Sequence, residues 1–390
     1  MMKIIAAYLP QYHRIKENDE WWGDGFTEWT NVKKARSLFD GHNQPRVPLN
    51  QNYYNLLDND NKTWHWQASL AKKYGVYGFS LYHYWFNGKL LLEKPIENLL
   101  KDSSIDIPFC ICWANEKWTN GWVSNENRVL MEQDYSDEQD WVNHFMYLLP
   151  FFRDTRYIHV DNKPLIVIYV PYLMERYLES FIKCWRRLAQ ENGLDGLTLA
   201  FQHVRNFNDP TFDANIFDYG MEFQPDYMLF HKKNETNIVN NAKTVALNKL
   251  FKISSWLQKK YGIYIHRSRK DRSLITFSYD EMWNKILEKS PHDSNVFPGA
   301  FVDWDNTARK GKGGSVAIGT TPDKFRKYMT QQIFRARNVY QKDYLMLFAW
   351  NEWAESGYLE PDEKNGYAML EALQSALIDN GEFPVYFERL

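Results

Sequence analysis

Short apolar runs of strand length recur along this chain, at 4–9, 76–82, 108–113, 165–170, 197–202, 297–302 and 344–349, with a weaker one at 219–223. Between them lie stretches with helical periodicity, at 63–74, 96–101, 137–149, 173–193, 280–290, 323–339 and 367–379. A strand period that repeatedly gives way to a helix period argues for parallel βα units. Seven clear strands and a weaker eighth predict an α/β fold of the (β/α)8 TIM-barrel type with elaborated loops. The alternative is an open doubly wound sheet, but the glycine-rich dinucleotide fingerprint that accompanies such sheets follows none of the strands. A decorated barrel can use all 390 residues in one domain. No Pro- or Ser-rich linker divides the chain, and no repeat of solenoid period is present. Residues 1–390 therefore read as a single catalytic domain. The segment 227–273 breaks the βα rhythm between the sixth and seventh strands and reads as a basic insertion.

In a barrel, the C-terminal strand ends carry the chemistry. The last strand runs out through Trp350 and Asn351 into Glu352-Trp353-Ala354-Glu355, two carboxylates three residues apart flanked by tryptophans. Such a pair suits general acid/base work on a sugar, although an acidic strand-to-helix turn has the same appearance. The other strand ends match in character: Tyr8, Tyr12, Trp22, Glu28 and Trp29 after the first; His83, Tyr84 and Trp85 at the second; Trp113, Asn115 and Glu116 at the third. His203 closes the fifth, and Asp303, Trp304 and Asp305 follow the seventh. Hydrogen-bonding groups alternating with flat aromatic faces are what a sugar ring requires. Individually these residues have ordinary readings, His83 as a core histidine and Asp303/Asp305 as helix caps. Asp303 and Asp305 also form the Asp-x-Asp pair that holds a metal in many sugar-nucleotide transferases; here they are assigned to substrate hydroxyls.

Aromatic residues make up 17% of the chain, with 16 Trp and 25 Tyr, more than a core of this size needs. A net charge of −2 gives no polyelectrolyte bias toward nucleic acid. The exception is local: eleven Lys/Arg fall between His231 and Arg272 against Glu235 and Asp271. That density suits either a solvated helical insertion or a face meeting an anionic lipid leaflet or an acidic glycan. Three cysteines without CxxC spacing suggest no zinc site and a reducing compartment. The N-terminal apolar run is too short for a signal peptide. No uncharged stretch is long enough to span a bilayer. The expectation is a cytoplasmic protein, at most peripheral to the inner membrane. Lys312 in Gly311-Lys312-Gly313-Gly314 lacks P-loop spacing, and no Gly-x-Ser-x-Gly elbow is present.

Five motifs carry a resemblance. Tyr8-Leu9-Pro10-Gln11-Tyr12-His13, the run from Glu20 to Trp29, Tyr84-Trp85-Phe86-Asn87-Gly88, Cys112-Trp113-Ala114-Asn115-Glu116 and Trp350-Asn351-Glu352-Trp353-Ala354-Glu355 resemble the WbsX-type glycosyltransferase family. That family is associated with bacterial surface-polysaccharide gene clusters and is related to glycoside hydrolase family 99, the endo-α-mannosidases and endo-α-mannanases. The resemblance runs from Ile4 to about Pro361, with the basic insertion outside it. It implies a retaining mechanism without an enzyme nucleophile, on an α-linked, manno-like oligosaccharide or polysaccharide that is free or lipid-linked. Glu352 would be the base on the sugar 2-hydroxyl, which attacks C1 to give a 1,2-anhydro sugar, and Glu355 the general acid/base. No metal or organic cofactor is implied. The chain departs from the hydrolases at Ala354, where they carry histidine, and at Ser356, where they carry glycine. The family label implies a second reading, a nucleotide-sugar-dependent transferase of O-antigen or capsule synthesis. A non-catalytic glycan-binding barrel is the third.

Overall fold

The computed structural model describes residues 1–119, 128–203, 213–231, 273–291 and 293–384. The basic residues expected to form an insertion, Lys232 to Arg272, lie outside them.

Eight strand positions form a closed ring: β1 (Lys3–Tyr8), β2 (Val76–Phe86), β3 (Phe109–Trp113), β4 (Lys163–Ile168), β5 (Thr198–His203), β6 (Tyr219–Glu222), β7 (Val296–Phe297 and Gly299–Phe301) and β8 (Tyr344–Phe348). Neighbours pair in parallel in the order β7-β6-β5-β4-β3-β2-β1-β8-β7. The ring closes through the two halves of β7. Val296 and Phe297 pair with Gly220 and Met221 of β6, and Gly299 to Phe301 pair with Met346 to Phe348 of β8. Pro298 divides the halves; it lacks an N–H for a ladder, but its carbonyl accepts the Met346 N–H at 2.9 Å. Gly299 is required there, since a Cβ would lie 1.8 Å from the Glu222 carbonyl oxygen. Closure excludes the open doubly wound alternative and realises the expected barrel, including its weak eighth strand at Tyr219–Glu222.

The strands are almost wholly buried, as a parallel sheet covered on both faces requires. The outer layer contains the helices Lys62–Lys73, Lys94–Lys101, Glu138–Phe152, Leu178–Glu191, Tyr279–Glu288, Pro322–Asn338 and Ala368–Asp379. Leu178–Glu191 shows the governing pattern: Leu178, Phe181, Ile182, Trp185, Leu188 and Ala189 are buried, one stripe at helical spacing. Start signals are side-chain caps, with Asp137 accepting from the Gln139 N–H and Thr321 from the Lys324 N–H. One expectation shifts: the continuous helix over 173–193 is a 3-10 segment, Pro171–Tyr177, followed by the α-helix. Glu175 breaks it at φ 46°. No helix among the described residues is long and apolar enough to cross a membrane.

Candidate active site

At the C-terminal end of β8 the chain forms a tight hairpin in place of a helix. Asn351–Glu352 pairs antiparallel with Gly357–Tyr358, Trp353–Glu355 makes a 3-10 turn, and Ser356 takes the left-handed conformation at φ 57°. Glycine is needed at 357, where a Cβ would lie 2.4 Å from the Phe348 ring. The hairpin is tied to β1: Leu9 N–H donates to Asn351 Oδ1 at 2.8 Å, and Asn351 Nδ2 donates to the Leu9 carbonyl at 3.0 Å. The Tyr12 hydroxyl also donates to the Asn351 carbonyl. The acidic pair is thus not the start of a helix. Its two carboxylates are presented by a short hairpin anchored to the first strand.

One cation holds them. Arg309, on the short helix Thr307–Lys310 after β7, donates Nη1 to Glu355 at 2.8 Å, Nη2 to Glu352 at 3.1 Å and Nε to Glu28 at 2.9 Å. All four side chains are at most 15% exposed. Burial disfavours the guanidinium charge, but Glu28, Glu355 and Glu352 outweigh it and hold Arg309 firmly protonated. For Glu352 burial dominates. Its carboxyl is pushed up to about 8, against the pull of Arg309 and with Glu355 and Glu28 adding to the rise. A proton therefore stays at this site through neutral pH.

The cleft around the pair has a volume of about 660 Å³. Its lining includes Trp22, Glu28, Tyr84, Glu116, Trp304, Glu352 and Glu355 of the residues expected from sequence, joined by Arg309, Tyr82, Tyr169, Phe223 and Asp226. Burial raises the Tyr82 and Tyr169 phenols well above 10, so they remain hydrogen-bond donors. Tyr84 packs edge-on against Trp118 at 5.1 Å and Trp304 against Phe348 at 5.9 Å, giving the cleft apolar walls.

The remaining expected residues do not line this cleft, and strand alternation accounts for several of them. On β2, Tyr82 and Tyr84 face the cleft while His83 and Trp85 face the helix layer. His83 shares a hydrogen bond with His144 at 3.0 Å, and Trp85 stacks on His144 at 4.7 Å and donates to Asp140. Trp113 packs against Phe181 and Trp185. Asn115 joins two rim loops, with Nδ2 donating to the Val170 carbonyl at 2.9 Å. Tyr8 stacks on Trp64 at 4.8 Å. Tyr12 and Trp29 pack beneath the hairpin, Trp29 against Trp353 at 5.5 Å. Trp350 is fully buried against Phe79, and His203 is buried beside Phe201 and Tyr227.

Asp303 and Asp305 point away from the cleft. Asp303 pairs with Arg46 at 2.7 Å and accepts from Thr320, and Asp305 accepts from Gln44 at 2.7 Å and Thr307 and contacts His42. Their carboxylates secure the loop after β1 to the end of β7. Among the described residues no group of three or more His, Cys, Asp or Glu is placed to hold a metal; Glu28, Glu352 and Glu355 surround a guanidinium.

Known proteins share this architecture. The chain aligns over 97% of its length with 96% of the GH99 endo-alpha-mannosidase from Bacteroides thetaiotaomicron, at 13% identity and a TM-score of 0.51. It aligns over 98% of its length with 94% of a glycoside hydrolase-like protein, at 12% identity and a TM-score of 0.54. At such identities the likeness is one of fold. In sequence, the chain is 34% identical over 376 residues to the uncharacterized protein WxcX of Xanthomonas campestris pv. campestris (strain B100), covering 96% of this chain. The chain spans about half the length of the curated relatives it matches, 49% of that protein. The profile of the family described as Glycosyltransferase WbsX matches residues 4–373. By that match, which takes in nearly the whole chain, the protein belongs to the WbsX glycosyltransferase family.

Proposed function

We propose that this barrel cleaves or transfers α-linked, manno-like glycans with retention, through a 1,2-anhydro sugar, and that the described residues form one catalytic unit. The observation that carries the reading is the buried Glu352–Arg309–Glu355 arrangement at the strand ends of an aromatic cleft. In the first step ionised Glu352 takes the proton of the sugar 2-hydroxyl while O2 bonds to C1. The C1 bond to the leaving oxygen breaks, and protonated Glu355 gives that oxygen its proton. In the second step Glu355 takes a proton from water, or from an acceptor hydroxyl in transfer. The new oxygen bonds to C1, the C1–O2 bond breaks, and Glu352 returns its proton to O2. The reaction needs one proton on the pair; burial retains one on Glu352, and it must pass to Glu355 as substrate binds. Arg309 orients both carboxylates, and Trp22, Tyr84 and Trp304 offer stacking faces.

A lipid-linked substrate reached at the cytoplasmic membrane face, with the basic segment against the anionic leaflet, would account for the charge of residues 232–272. The family description favours a second reading, transfer from a nucleotide sugar. Mass spectrometry of products from α-linked oligosaccharides and lipid-linked repeat units, with and without nucleotide sugars, separates them. The expected result is nucleotide-independent cleavage or transfer, lost in Glu352→Gln and Glu355→Gln. Turnover that requires a nucleotide sugar would make the protein a transferase, and tight glycan binding without turnover a lectin-like barrel.

A further inference from the structure

Glu360 is a buried carboxylate, 2% exposed, that does not line the cleft. It follows directly on the hairpin that carries Glu352 and Glu355. Its contacts are all acceptances: Oε1 from Gln67 Nε2 at 2.7 Å, and Oε2 from Trp353 Nε1 at 2.6 Å and from the Tyr54 hydroxyl at 3.0 Å. Trp353 is one chain neighbour of Glu352. The other, Asn351, donates Nδ2 to the Tyr54 hydroxyl at 3.3 Å. A single carboxylate is therefore bonded to both neighbours of Glu352, directly on one side and through a phenol on the other. Around it the parts are stiff: the Trp353 ring stacks on Tyr358 at 3.8 Å, and Asn351 clamps Leu9 in both directions. Gln67 is oriented as well, because its Oε1 accepts from the Tyr8 hydroxyl at 2.8 Å and its N–H must then face Glu360.

We propose that Glu360 is a positioning residue that sets the direction of Glu352 by fixing Trp353 and Asn351. The proposal rests on the assignment of Glu352 to the reaction. A buried carboxylate is a costly way to fill space. Three converging donors explain it: the ionised group accepts from all of them at once, and they oppose the burial that raises it to about 7.

The test is a swap. In Glu360→Gln the new amide sets its NH2 against that of Gln67, which displaces it and loosens its bonds to Trp353 and Tyr54. Combined with Gln67→Glu, the carboxylate at position 67 accepts from Tyr8 and from the amide at position 360, so every bond is restored with the charge moved. For Glu360→Gln the expected result is a kcat lower by about 10- to 100-fold, the scale of a misplaced reacting group. KM stays within about two-fold, because ground-state binding is untouched, and the double variant recovers most of the rate. Crystal structures should show the 3.1 Å hydrogen bond from Arg309 to Glu352 broken in the single variant and re-formed in the double. Should Glu360→Gln not fold, Tyr54→Phe removes only the link to Asn351, and a partial kcat loss at unchanged KM is expected. An unchanged kcat in Glu360→Gln, or a double variant as slow as the single with its bonds re-formed, would overturn the proposal. If the wild type turns over no glycan, the assigned reaction fails. The crystal structures still decide the positioning, which falls if the Arg309–Glu352 hydrogen bond survives in Glu360→Gln.

Discussion

Replacing Arg309 by glutamine tests the electrostatics of the site. The guanidinium makes three charged hydrogen bonds, of 2.8, 2.9 and 3.1 Å, to carboxylates that are themselves at least 88% buried. Removing one partner of such a buried cluster costs about 3–5 kcal/mol. For a chain of 390 residues that is a fall in Tm of about 4–6 °C. The loss has a definite pH dependence. Without the guanidinium, ionised Glu352 has no counter-charge, so the deficit should be largest near pH 8, where wild-type Glu352 ionises, and shrink toward pH 5. Activity should respond in the same sense. The active form carries one proton on the pair, so kcat/KM of the wild type is expected to fall as pH rises through about 8, where Glu352 loses it. Arg309 opposes that raised value, so its removal moves the alkaline limb higher while lowering the plateau by about 100-fold or more. Calorimetry and pH–rate profiles of Arg309→Gln beside the wild type check both. An equal Tm loss at pH 5 and pH 8, together with an unmoved limb, would show that Arg309 is packing and not charge.

Glu352→Gln should flatten a slope of the wild type. The folded state keeps the Glu352 proton up to about 8 whereas the ordinary value is 4.5, so this contribution is complete below 4.5 and lost as pH rises through 8. The difference approaches about 5 kcal/mol, and the variant should gain Tm over the wild type at pH 8–9 but not at pH 4.5. His83 has the opposite sign. Burial depresses it to about 3, and His144 is depressed well below 6.5 likewise, so their contribution is complete above 6.5 and lost as pH falls below it, for His83 through about 3. His83→Phe with His144→Leu should reduce the slope of stability against pH between 4 and 6 by up to about two protons; unchanged denaturation curves across that range would refute it. Gly299→Ala places a Cβ 1.8 Å from a backbone oxygen at the closure of the ring. It should abolish soluble expression, and a wild-type Tm would contradict that reading.

The fold was legible because a parallel barrel writes its period into the chain. Strands covered on both faces are apolar throughout, and amphipathic helices must separate them. Even the weak run near Tyr219 is a strand, short because only Tyr219–Glu222 pairs with β5. Two things escaped. The ring closes through a strand that is split at Pro298, which apolar content alone does not reveal. The break at Glu175 depends on one left-handed residue with no glycine to mark it.

The site was legible as a rim and not as a surface. Locating strand ends identifies which residues are near the chemistry, but a side chain's direction changes with every residue. His83 and Trp85 were as plausible as Tyr84 until the phase of β2 was known. Asp303 and Asp305 show the same ambiguity: they flank Trp304, which lines the cleft, while their carboxylates hold Arg46, His42 and Gln44. Arg309 had no signal at all. It lies in Thr307-Ala308-Arg309-Lys310, a basic turn like many others, and its role exists only because a four-residue helix after β7 brings it over a hairpin after β8. Acidic and aromatic residues at a rim can be collected from sequence, since their chemistry is unusual wherever they stand. A counter-charge that organises them is an ordinary surface residue until the fold removes water from around it.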